Sequence, residues 1–223
     1  MNKEVKMIQA VDKATVYRWF SGLYFQEFSI EMLDNYSSVE GRAFLNALSL
    51  QKELRALSHK ITSFYEEGAN RSEIVLNLAG DFSFLFLGVG GRRSAPPYAS
   101  AYLSDNGLLC QESMQNMLKI LRDMNKTVKP VTSEPADHLS IQLNILAELS
   151  ELEGSARTVE ISDLADRYAS QKQEFIQEHL LSWLPSFSAD CAKKDKFGFY
   201  ALVARSLISF LEWDLSKNQE KTS

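Results

Sequence analysis

From Val11 onward the apolar residues recur at intervals of three and four, the spacing of one face of an α-helix, and no stretch alternates as a half-buried strand requires. Val16, Phe20, Leu23 and Tyr24 predict an amphipathic helix within 11–28. Ser29 is placed to cap a short helix carrying Ile30 and Leu33, and Gly41 marks the vicinity of the next turn. Leu54, Leu57, Ile61 and Phe64 predict a helix over 50–65, and Asn70 with Glu73 resembles a capping box for the next one. That next helix, 73–87, has Val75, Leu78, Ala79, Phe82, Leu85 and Phe86 on its inner face. Asp81 is its anomaly. The acid lies either on an exposed strip or against a buried donor such as a loop N–H or an arginine, because burial without a partner costs about 2–7 kcal/mol.

Residues 88–102 form a glycine- and proline-rich loop with two tyrosines, Tyr98 and Tyr102, and Leu108 to Met124 returns to the helical period with Met114, Met117, Leu118, Leu121 and Met124 inward. The segment 125–133 is polar, contains Pro130 and has no period, as expected of a connection between packed units. Beyond Gly154, which breaks the pattern, Ser162-Asp163 starts a long helix that Pro185 ends. A short helical piece at 187–191 precedes Phe197 to Trp213, apolar on nearly all sides, and a polar tail follows Asp214. The reading is an all-α fold of two helical bundles: 1–125, a hinge at 126–137, 138–215, and a tail at 216–223.

Glu134 to Leu149 is the most informative run, because a polar opening is joined directly to an apolar helix. Pro135 suits a first helical position, and Glu134 and Asp137 place negative charge beside the free N–H groups of a first turn. Glu134 and His138, four apart, would then share a face. Two explanations stay open: a helix start with an exposed or hydrogen-bonded histidine, or a ligand-contact cluster in a hinge.

Composition narrows the partners. With 24 basic and 29 acidic residues the net charge is -5, which disfavours nucleic acid or an anionic membrane and suits a cationic peptide. Of 223 residues 45% are hydrophobic, enough for a substantial core. The two cysteines, Cys110 and Cys191, belong to no Cys-x-x-Cys and read as reduced thiols of a cytoplasmic protein. The first ten residues carry charges where an export signal would be apolar, and Asn77 and Asp81 interrupt the most apolar window short of a bilayer span. The glycines at 88, 90 and 91 do not make a phosphate loop, and Arg92-Arg93 precedes Pro-Pro-Tyr in place of the apolar stretch of an export signal.

Four motifs in order, Asp81-Phe82-Ser83-Phe84-Leu85-Phe86-Leu87, Pro96-Pro97-Tyr98-Ala99-Ser100-Ala101-Tyr102, Glu134-Pro135-Ala136-Asp137-His138-Leu139, and Trp183-Leu184-Pro185-Ser186-Phe187 with Phe197-Gly198-Phe199-Tyr200, resemble the TorD family of molybdoenzyme maturation chaperones. The resemblance runs from Val16 to Asp214, and its wording is most similar to the branch that serves trimethylamine N-oxide reductase. It implies an all-helical cytoplasmic chaperone without enzymatic activity. Such a chaperone binds an apo-molybdoenzyme precursor and its twin-arginine signal peptide, assists insertion of the molybdenum cofactor, and delays export through the Tat pathway. It also implies signal-peptide contacts at Asp137, His138, Pro96, Pro97 and Tyr98, with Glu134, Ser100 and Tyr102 in the same motifs, and a monomer or domain-swapped homodimer. A weak contact with a guanine nucleotide or with molybdopterin guanine dinucleotide is left open; no resident cofactor or metal is implied. The chemistry agrees: carboxylates such as Glu134 and Asp137 can pair guanidiniums while an aromatic and proline wall covers an apolar segment. The rivals are a helical scaffold that binds folded proteins, and a nucleotide-hydrolysing or metal enzyme using Glu134 and His138 with His59, His179 or Asp81.

Overall fold

The computed structural model of the chain describes residues 11–66, 68–104, 112–124 and 134–219, and every regular element among them is helical. Caps set the first elements. Asp12 accepts the Thr15 N–H at 2.9 Å and starts α1, Lys13–Phe25; Ser29 accepts that of Met32 and starts α2, Ile30–Ser37. Ser29→Ala is expected to lower the unfolding free energy by about 1 kcal/mol, read from urea titration, because the Met32 N–H loses its partner. Ser38 caps α3, Val39–Leu50, so Gly41 lies inside the first turn of a helix and not in a turn between helices. Its glycine is required by close approach: a Cβ there would sit 2.0 Å from the Asn35 carbonyl oxygen.

α4, Lys52–Ser63, and α5, Arg71–Phe86, bury the apolar positions read from the period, with Asn70 capping α5 through the Glu73 N–H. Asp81 is resolved as the second of its alternatives. It is buried, and its Oδ2 accepts the Phe197 N–H at 2.7 Å, pinning the turn before the last helix. A short α6, Ser100–Leu103, follows the proline-rich loop, and α7, Glu112–Asp123, buries Met117 and Leu121.

The next helix departs from the sequence reading at both ends. α8 spans Leu139–Thr158 with His138 as its cap, not Pro135 as its first residue, and it runs through Gly154 without a break. Residues 135–138 make a turn instead, closed by the His138 N–H on the Pro135 carbonyl at 3.0 Å, because tertiary hydrogen bonds to the 96–100 loop claim their backbone. At the far end the inward side chains Glu153 and Ala156 continue the buried face past the glycine. α9, Ser162–Glu174, passes into a widened π turn, Phe175–Leu180, in which the Leu181 N–H reaches back five residues to Ile176 at 2.9 Å. Pro185 does not end that run but opens α10, Leu184–Lys194, where its missing N–H is harmless. α11 occupies Phe199–Gln219, so the helix continues past Asp214 into the segment read as a polar tail.

One continuous core joins helices from both sides of 126–137: α1 packs on α8, and α4 on α11. Phe86 meets Tyr24, Phe82, Phe187 and Tyr200 at ring-centroid distances of 5.1–6.0 Å, linking α1, α5, α10 and α11. A buried polar cluster ties α1, α8, α9 and α11. The Asp214 carboxylate accepts from Tyr17 Oη at 2.6 Å and from Lys13, and lies 3.5 Å from Lys172 Nζ, which donates to Glu153 at 2.8 Å. Among the described residues no helix is long and apolar enough to cross a membrane.

Candidate functional site

The loop 96–100 and the turn 134–139 lie side by side. The Leu139 N–H donates to the Pro97 carbonyl at 2.8 Å and the Ala99 N–H to that of Asp137 at 3.2 Å, around a two-residue antiparallel bridge between Tyr98 and His138. Side chains reinforce this staple. Asp137 Oδ2 accepts the Ser100 N–H at 2.9 Å, Tyr98 Oη donates to the Glu134 carboxylate, and the Tyr98 and His138 rings meet edge to face at 4.9 Å. Gln142, one turn into α8, donates its Nε2 to the Asp137 carbonyl at 2.7 Å. Two motifs separated by almost forty residues are therefore one object.

Their exposure sorts them. Asp137 and Ser100 are fully enclosed and His138 is 4% exposed, whereas Pro96, Tyr98, Tyr102 and Glu134 are partly open and Pro97 is buried. His138 Nδ1 accepts the Ser140 N–H at 3.2 Å, which fixes the proton on Nε2. Burial lowers the His138 pKa against the opposing charges of Glu134 and Asp137, so the ring is neutral at pH 7. Tyr102 stacks on Trp183 at 5.6 Å, and burial pushes its phenol far up. The enclosed members of this set shape a surface; the open ones form it.

A groove of about 820 Å³ runs between α7, α8, α9 and the π turn. Its floor is apolar, with Met124, Leu149, Leu152, Tyr168 and Phe175. Asp123, Glu148 and Glu174 stand around it, with Arg167 the one positive charge among the described residues that line it. His179 closes the end nearest the staple, and burial lowers its pKa despite Glu174 and Glu178, leaving it uncharged at pH 7. The groove escaped the sequence reading as a site, although its signal was present: the apolar arc of α8 is wider than one packing partner covers, and Leu149 and Leu152 lie on its outer margin.

Among the described residues no three His, Cys, Asp or Glu side chains gather as a metal site would require. His59 is exposed on α4, Asp81 is committed to Phe197, and His138 has its Nδ1 committed to its own helix.

Three comparisons bear on this geometry. The nitrate reductase delta subunit family model matches residues 47–189. A protein of Aliivibrio salmonicida named chaperone protein TorD is 37% identical over 203 residues, covering 91% of this chain and 93% of its own length. One of the same name from Vibrio cholerae is 36% identical over 214 residues, covering 96% and 94%. A solved chain from Archaeoglobus fulgidus, assigned as a redox enzyme maturation protein, has a TM-score of 0.54 over 95% of this chain and 99% of that one; at 16% identity the likeness is of fold.

Proposed function

The chain belongs to the TorD family of molybdoenzyme maturation chaperones, and from that premise we propose that it holds an apo-molybdoenzyme by the twin-arginine signal peptide while the molybdenum cofactor is inserted. The client in this reading is trimethylamine N-oxide reductase, taken from the motif resemblance, and the place of action is the cytoplasm, before export. The groove carries the proposal. An apolar floor bordered by three carboxylates and one arginine suits a segment that is cationic at one end and apolar along its length, which is the chemistry of such a signal. A volume of about 820 Å³ seats several side chains of that segment and not the body of a folded protein.

The staple serves this groove by position. By fixing the 96–100 loop against the start of α8 it holds Ala99 and α6 beside the His179 end of the groove, while Tyr98, Tyr102 and Glu134, none of which lines the groove, stay partly exposed. Exchange at 126–137 would give a swapped homodimer in place of the monomer, with the α1–α8 and α4–α11 contacts re-formed between copies.

The reading is tested by titrating the full chain with a synthetic peptide bearing two adjacent arginines ahead of an apolar run. Saturable binding is expected, and Leu152→Lys, which sets a like charge on the groove floor, is expected to weaken it by about tenfold or more with little change in thermal midpoint. Leu152 is half-buried and at the margin of the core, so the substitution spares the fold. Binding that ignores Leu152→Lys removes the groove from the proposal. Absence of binding both to the peptide and to the unexported enzyme favours the scaffold alternative.

A further inference from the structure

Beside the groove, and sharing His179 with it, lies a smaller cavity of about 220 Å³ between α6, α7, α8 and the π turn. Gln142 lines it and is fully buried. The orientation of its amide is set, because Nε2 donates to the Asp137 carbonyl and a reversed amide would oppose two oxygens. Oε1 is then an acceptor, buried and without a protein partner. A buried acceptor left unmade carries the whole desolvation penalty of the group, so this position favours an incoming donor.

The remaining lining sets what that donor is. Glu178 brings a carboxylate, Ser113 and Asn116 bring further oxygens, and Leu103 and Met117 bring apolar contact. No lysine or arginine lines the cavity among the described residues, and His179 is neutral at pH 7 through burial. The site is rich in acceptors and carries negative charge. At about 30 Å³ per water its volume corresponds to roughly seven waters, the room of one long side chain. A planar guanidinium presents several N–H groups in a fixed fork and can meet two acceptors at once, where an ammonium acts as a compact point charge.

We propose that this cavity receives an arginine guanidinium of the bound polypeptide, with Gln142 Oε1 and the Glu178 carboxylate as its acceptors. The proposal rests on the reading of the neighbouring groove as a peptide site and adds the element that tells arginine from lysine. It also separates two tasks: Asp137, enclosed and bonded to Ser100, holds the wall, and Gln142 and Glu178 contact the ligand.

The test compares the two-arginine peptide with its two-lysine counterpart on the wild-type chain and on Glu178→Gln and Gln142→Met. Wild type is expected to bind the arginine peptide about tenfold more tightly, and Glu178→Gln to reduce that preference to about twofold. Gln142→Met should act in the same direction, but it also gives up the bond to Asp137, so the exposed Glu178 is the deciding position. Equal affinity of wild type for both peptides, or a preference unchanged by Glu178→Gln, overturns the arginine subsite and leaves the groove standing. Failure of both peptides to bind overturns the two together.

Discussion

Asp214→Asn is expected to lower the stability of the chain by about 3–5 kcal/mol, the cost of breaking a buried ion pair from one side. The carboxylate is fully enclosed and takes Tyr17 Oη at 2.6 Å and the Lys13 ammonium, with Lys172 Nζ 3.5 Å away. Asparagine keeps the shape and removes the charge. Lys172, 1% exposed, is then left with Glu153 alone, and an N–H donor can be turned toward cations. In a protein of this size the loss corresponds to a fall in Tm on the order of 10 °C. Calorimetry of Asp214→Asn, Lys172→Met and the double variant separates the pair from its surroundings, since the double variant should cost clearly less than the sum of the singles. Additive losses would show that the two residues are not coupled. The cluster also sets an acid limb. Burial pushes the Glu153 carboxyl up, but the hydrogen bond and charge of Lys172, with Arg157, outweigh it, so its folded pKa lies below the ordinary 4.5. A depressed carboxyl contributes stability that is present above 4.5 and is lost as pH falls through the lower folded value. Lys172→Met should flatten that part of the stability profile.

This cluster shows where reading the chain residue by residue stops. The period of three and four placed the helices because each buries a stripe of its own sequence, and Ser29 and Asn70 were legible as caps because a cap bonds to a residue three positions on. Asp214 gave no sign of its role because its partners Tyr17 and Lys13 are about two hundred positions away. The same limit displaced the start of α8. Locally Pro135 and Asp137 suit a first turn, yet Pro97 and Ala99 compete for the same backbone and win, and no spacing within 134–149 reports a loop at 96–100. Gly154 misled for the opposite reason: a glycine inside a helix is a modest cost, and a buried face on either side of it offsets that cost. For the candidate site, the motifs named residues that the fold brings together in the staple of 96–100 and 134–139, and none of them lines the groove. The wide apolar arc of α8 signalled an open face, but the groove and the small cavity beside it were not legible as sites, because each is defined by what four elements leave uncovered between them.

The second large effect concerns what Asp137 does. Asp137→Ala is expected to cost about 1.5–3 kcal/mol of stability, the value of a buried hydrogen bond to a charged group, and to weaken peptide binding by roughly ten- to a hundredfold as the 96–100 loop loses its anchor. Asp137→Asn separates position from charge. An asparagine oxygen can still accept the Ser100 N–H at the place where Oδ2 now does, and the backbone carbonyl still receives Ala99 and Gln142. If Asp137 acts by holding the wall, the asparagine variant stays within about threefold of wild type in peptide affinity and melts close to it, since no charge contact with the ligand has been lost. A carboxylate that paired with a guanidinium would behave differently: asparagine would then fail nearly as badly as alanine in binding while preserving the fold. Full enclosure of Asp137 favours the first outcome: Oδ2 is held by the Ser100 N–H, and Oδ1, although it has no partner, is buried, so a peptide arginine could reach the carboxylate only if the staple opened. Peptide titration and thermal melting of the two variants side by side decide between them, and a near-wild-type asparagine variant assigns ligand contact to the open side chains around the staple.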